Sequence, residues 1–145
     1  MKNKNATIEL LENDYWISPS IFPTDLVRKV FLLRKKSLSD LDSNDLRILI
    51  SQNVGLKYVV SIAIETLEKN LLEEAFYYSG DLLVAVLDIP RDYWKENNLE
   101  KNKIISLLQK SKAFLIEKFD EDDEIDQGIL KSIEKFILSA GENPL

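Results

Sequence analysis

Six carboxylates within seven positions, Asp120, Glu121, Asp122, Asp123, Glu124 and Asp126, form the densest cluster of chemically competent side chains in this sequence. Acidic groups at alternate positions ahead of a turn are what a calcium loop of the EF-hand type needs. Asp120, Asp122 and Glu124 fill the first, third and fifth places, but Ile125 stands where the sharp turn requires glycine and Lys131 where a bidentate glutamate is required. The motif fails, and no metal is expected. Two uses remain for the run: a solvated loop whose later carboxylates favour the start of the next helix, or a docking surface for a basic protein.

Elsewhere the chemistry is sparse. The chain has neither cysteine nor histidine, which removes disulfides, thiolate nucleophiles, the usual zinc ligands and the side chain that titrates near neutrality. Carboxylates, lysines, tyrosines and hydroxyls remain, enough for a glycosidase-like pair or a magnesium site if a cleft gathers them. No acid and base pair is marked in the sequence, so no catalytic residue and no cofactor are expected, and a small carboxylate-based enzyme stands only as an alternative.

Charge is informative in its distribution. The net charge is −6 from 19 basic and 25 acidic residues. Residues 1–36 carry seven basic and four acidic side chains (+3), residues 37–100 five and twelve (−7), and residues 101–145 seven and nine (−2). An acidic middle repels phosphates and favours basic protein partners. Five cations, Arg28, Lys29, Arg34, Lys35 and Lys36, cluster near one helix, but they interleave with core positions and read as its solvated side, so no direct nucleic-acid binding is expected.

The elements that must position these groups are helical almost throughout. A length of 145 residues suits one domain, residues 1–145, and 45% hydrophobic residues with four glycines and four prolines are the composition of a folded globular chain. No apolar run reaches the length of a membrane span, and the first 16 residues lack the apolar core and cleavage site of a signal peptide, so a soluble, cytoplasmic protein with no membrane contact is expected. Thr7 can begin a short helix through Ile8, Leu10 and Leu11, and a loop with Tyr15, Trp16, Pro19 and Pro23 should then tie the N-terminus down by packing its aromatics. Thr24 is the N-cap expected for a helix over 25–35, with Leu26, Val27, Val30, Phe31 and Leu33 inward and basic residues in its last turn. Ser43 is the cap expected for a helix carrying Leu46, Ile48, Leu49 and Ile50, ended by Asn53 and Gly55.

A helix over 56–70 follows, with Val59, Val60, Ile62, Ala63 and Leu67 buried. Asp81 caps or charges the start of the next, 82–87, which is apolar nearly all round and must lie central to the core. Pro90 opens a turn or two that dock Tyr93 and Trp94. Residues 99–119 read as one amphipathic helix with Ile104, Leu107, Leu108, Phe114, Leu115 and Phe119 on one side. Residues 125–139 read as another with Ile129, Ile133, Phe136 and Ile137, closed by Ala140, Gly141 and Pro144. The expected fold is all-α: a compact single-domain bundle of about seven or eight helices, short in the middle and ending in an antiparallel helix pair.

The stretch DLRILISQNVGLKYVVSIAIETLEKN, followed by YYSGDLLVAVL and DYW, with LVRKVFLLRKKSLSDL upstream, resembles the immunity proteins of bacterial contact-dependent growth inhibition (CDI) systems. The resemblance covers roughly Tyr15 to Trp94, more than half the chain. It departs from the family pattern at Ser61 and Ser79, where prolines are frequent. It implies a small cytoplasmic protein without catalysis that binds, one to one, the C-terminal toxin domain of its cognate CDI effector, CdiA. Many such toxins are nucleases, often ribonucleases, whose positive surfaces suit the acidic charge; a helical adaptor for another basic protein is the alternative.

Within the shared pattern, Asp45, Arg47, Gln52, Gly55, Gly80, Asp81 and Trp94 are expected to maintain the fold. Arg47 and Asp81 form a buried ion pair in this reading, Gln52 satisfies loop backbone groups, and the glycines serve tight turns. The toxin-binding candidates are Asp120, Glu121, Asp122, Asp123, Glu124 and Asp126, together with the acidic and aromatic edge Glu73, Glu74, Tyr77 and Tyr78.

Overall fold

A computed structural model describes residues 4–141. Within them the chain forms nine α-helices and one 3-10 turn, with no strand among the described residues. In order these are α1 Ile8–Glu12, α2 Asp25–Leu33, the 3-10 turn Leu38–Asp40, α3 Ser43–Ser51, α4 Leu56–Lys69, α5 Asp81–Leu87, α6 Arg91–Glu96, α7 Asn98–Lys110, α8 Lys112–Lys118 and α9 Glu124–Ser139. The all-α expectation holds. Among the described residues no helix is long and apolar enough to cross a membrane.

The core is built where α3, α4 and α5 meet. Leu46 and Leu49 of α3, Val59, Val60, Ala63 and Leu67 of α4, and Leu82, Leu83 and Val86 of α5 are all fully buried. Five of the seven residues of α5 are buried, as a short helix apolar nearly all round requires. Further helices pack outward from this centre: α7 on α4, α9 on α5, and α2 on α3. Ile8 of α1 completes it by lying where Gly55 has no side chain; a Cβ on Gly55 would come within 2.8 Å of Ile8 Cδ1. Gly55 also takes φ +64, a conformation that costs any residue with a Cβ.

Several local expectations need correcting. The N-cap of α3 is Asp42, not Ser43: Asp42 accepts the Asp45 N–H at 2.8 Å while Asp45 accepts the Asp42 N–H at 3.1 Å, a reciprocal capping box. The Ser43 hydroxyl instead donates to Glu73 at 2.6 Å. Thr7 and Thr24 do cap α1 and α2, accepting from Leu10 and Val27. Helix α2, however, ends at Leu33, so its last turn holds no basic residue, and Leu26 and Val27 are exposed rather than inward.

The C-terminal third is three helices, not two. Ser111 interrupts the run at φ −94 and ψ 3, closing α7 and opening α8. Serine competes for helix backbone bonds with its own side chain and so tolerates such a break. The break buries Leu115 and leaves Phe114 exposed. Of the three, α7 docks on α4 and α9 on α5. Gly141 closes α9 at φ +78; Pro144 lies outside the described residues.

The N-terminal strap, residues 14–24, is pinned by its aromatics only in part. Trp16 lies over the guanidinium of Arg34 and Phe22 packs on Phe31, with ring centroids 5.3 Å apart, while Tyr15 is exposed. Arg34, expected among the solvated cations, is 1% exposed.

Candidate partner-binding surface

Between α4 and α5 the chain turns back on itself, with an isolated bridge between Glu74 and Ser79. Gly80, which opens α5, sits at φ +100 in tight contact with α9: a Cβ there would lie 2.8 Å from Ile129 Cδ1. Asp81 organises the turn. Its carboxylate accepts the backbone N–H groups of Ala75 at 2.7 Å, Phe76 at 3.0 Å and Tyr77 at 2.8 Å. Burial alone would raise this carboxyl's pKa, but the donors from Ala75, Tyr77, Phe76 and Tyr78 outweigh it and hold it below the ordinary aspartate value. The Ser79 hydroxyl adds a bond to Leu72 O at 2.8 Å, and Glu73 accepts from Ser43 and, at 3.3 Å, from Asn70 Nδ2.

This geometry corrects the expected Arg47–Asp81 ion pair. Asp81 is taken up by backbone donors four to six residues before it, and Arg47, half-buried, bonds within its own helix. Arg47 Nη2 and Nε donate to Asn44 Oδ1 at 2.8 and 3.1 Å. Its guanidinium carbon lies 4.7 Å from the Tyr77 ring centre and 6.0 Å from that of Phe76. The two rings meet edge to face, centroids 4.9 Å apart. Phe76 is 63% and Tyr77 67% exposed.

The other candidates divide by environment. Glu74 is exposed, whereas Glu73 is committed to Ser43 and Tyr78 is half-buried, its phenol pushed up by burial and by the charges of Asp81 and Asp88. In the acidic run three side chains build the turn: Asp126 Oδ2 accepts from the Asp120 N–H at 2.9 Å, Asp120 Oδ1 from Asp122 at 2.9 Å, and Asp123, the N-cap of α9, from Asp126 at 3.0 Å. Glu121, Asp122 and Glu124 project without a hydrogen bond to their carboxylates among the described residues. Because Gly80 rests on Ile129 in the second turn of α9, the aromatic loop abuts the helix whose start carries the acidic run.

The remaining pattern residues hold structure. Asp45 completes the α3 cap and pairs with Lys36 at 2.7 Å. Trp94 is buried edge-on to Tyr93 and Phe136. Gln52 is exposed; its backbone N–H, not its amide, closes α3 onto Ile48 O at 3.1 Å. The sequence reading missed Phe76, whose exposure follows from the hydrogen bonds of its loop to Asp81 and from no spacing in the chain.

A groove of about 670 Å³ lies between α4 and the start of α7. Of its carboxylates, Glu65 pairs with Lys4 at 3.3 Å and Glu100 accepts from Tyr93 Oη at 2.9 Å. Burial, and then the Glu100 bond, raise the Tyr93 phenol above its ordinary value. Among the described residues no set of three or more acidic side chains is placed to hold a metal ion.

A model of the family described as CDI immunity proteins matches residues 10–104, nearly two thirds of the chain. The match includes α2 to α6 and the aromatic loop, and ends before the acidic run. Comparison with curated proteins and with solved structures gives no match.

Proposed function

The chain belongs to the CDI immunity proteins, and from that premise we propose that it binds and neutralises the C-terminal toxin domain of its cognate CDI effector. The target is a basic nuclease, a ribonuclease, held one to one with its active site or substrate path occluded. The protein acts by occupancy, and no bond is made or broken on it.

One observation carries the nuclease reading: the charge of −7 over residues 37–100, all of which fall within the matched region. A nuclease gathers lysines and arginines to hold phosphate, and a carboxylate-rich surface both attracts such a domain and competes with its substrate. An interface of roughly 800 Å² per partner is sufficient for stable occlusion.

The experiment is co-expression with a candidate cognate toxin domain of a CDI effector. Growth should be restored, a one-to-one complex should survive gel filtration, and the toxin's cleavage of RNA should stop. Growth arrest in cells that contain ample soluble protein rejects the pairing.

A further inference from the structure

We propose that Phe76 and Tyr77, with Arg47 behind them, form the anchor of the toxin interface and enter an apolar pocket of the toxin domain beside a carboxylate that meets Arg47; this rests on the immunity reading above. Single exposed apolar side chains need no explanation. Here two adjacent aromatics stand out together, edge to face at 4.9 Å, on a loop whose three consecutive N–H groups converge on one carboxylate that is only 4% exposed. Burying a carboxylate is costly unless it is fully bonded, and this one is bonded to the backbone that carries the two rings. The loop is fixed before any partner arrives.

Such preorganisation removes ordering cost from association, and Tyr and Arg in well-packed central positions are the residues that dominate interface energies. Arg47 supplies the chemical direction. Asn44 holds one edge of the guanidinium, Tyr77 covers a face, and among the described residues Nη1 has no hydrogen-bond partner. A carboxylate on the partner completes it, while exposed Glu74 beside the rings suits a lysine or arginine of the same basic domain. Another exposed apolar pair, Ile17 at 92% and Ile21 at 84%, lies on the N-terminal strap without such a clamp, so it serves as the comparison.

The test measures association and dissociation of the cognate toxin domain with the wild-type protein, with Phe76→Ala/Tyr77→Ala and with Ile17→Ser/Ile21→Ser. The aromatic variant should keep its thermal stability, lose at least about 30-fold in affinity, and do so through faster dissociation. The strap variant should bind like wild type. In the wild-type complex, hydroxyl-radical footprinting should show Phe76 and Tyr77 protected, a readout that does not depend on any variant folding. Unchanged affinity in the aromatic variant, or both rings still reactive in the complex, overturns the anchor while leaving the immunity reading intact. So does a wild-type dimer that the aromatic substitutions dissociate without loss of toxin binding. Failure of the wild-type protein to bind the toxin domain at all sinks both.

Discussion

The guanidinium of Arg34 lies 4.1 Å beneath the ring of Trp16, so a cation just past the end of α2 is sealed by the strap that precedes that helix. Nη2 donates to Glu12 Oε1 at 2.8 Å and to Asp14 O at 2.7 Å, tying α1 and the strap to α2. The partners it leaves behind, Glu12 and Asp14, reach water, so the loss is that of the charge-assisted bonds, and Arg34→Ala should lower unfolding free energy by about 1.5–3 kcal/mol in urea denaturation. Arg28→Ala, which removes a cation bonded to Asp25 at the surface, should leave the midpoint unchanged. A loss of under about 1 kcal/mol for Arg34→Ala shows that the strap does not depend on it.

Asp81 sets the acid limit of the aromatic loop. Its carboxyl is depressed in the folded protein, so the stability it contributes is fully present above the unfolded value of about 3.9 and is lost as pH falls through the lower folded value. Asp81→Asn keeps the shape but trades an ionised acceptor of three N–H groups for a single carbonyl oxygen. It should cost about 1–3 kcal/mol at pH 7 and flatten the acid limb of the stability profile below about pH 4. An identical acid limb in wild type and variant assigns acid unfolding to other groups.

Gly80 and Gly128 should respond to alanine with opposite signs. At Gly80 the backbone φ of +100 and the approach to Ile129 Cδ1 act together, so Gly80→Ala should destabilise by about 1–3 kcal/mol. Ile129→Val removes that methyl, and a double-mutant cycle should recover at least about 0.5 kcal/mol of coupling. Gly128 lies inside α9 with nothing within 4 Å of an added Cβ, so Gly128→Ala should stabilise by about 0.5–1 kcal/mol. Additive behaviour at Gly80 and Ile129 places the whole cost in the backbone.

What the sequence made legible is what neighbours in the chain decide. The caps Thr7 and Thr24, the apolar α5 and the positive-φ glycines 55 and 80 each follow from residues within a turn or two. The misreadings turn on competition that spacing does not reveal. Asp42 and Ser43 are both competent caps, and the choice falls to Asp42 because Asp45 reciprocates and Glu73, 30 residues away, takes the serine. Arg34 looks like a surface cation because its partners Glu12, Asp14 and Trp16 come from another element. Arg47 and Asp81 suggest a pair by sign alone, yet local backbone donors reach Asp81 first. Of the candidate surface, Tyr77 was readable as an edge, whereas the outward turn of Phe76 follows from a loop clamp that only the folded chain displays.

The acidic run should act on encounter rather than on residence. Asp120, Asp123 and Asp126 are occupied in shaping the start of α9, so neutralising them confounds steering with folding; Asp123→Ala alone should cost about 1 kcal/mol as a lost cap. Glu121 and Asp122 carry charge outward without that duty, whereas Glu124 opens α9, where a carboxylate favours the helix start. The triple variant Glu121→Gln/Asp122→Asn/Glu124→Gln should therefore lose at most about 1 kcal/mol of stability and keep its dissociation rate from the toxin domain. Its association rate should fall roughly tenfold at low salt, with a shallower dependence on ionic strength, because long-range attraction between unlike surfaces is what salt screens. Stopped-flow association across a salt series reads this directly. An on-rate and slope equal to wild type assign the run to solubility, and leave the steering to carboxylates of residues 37–100.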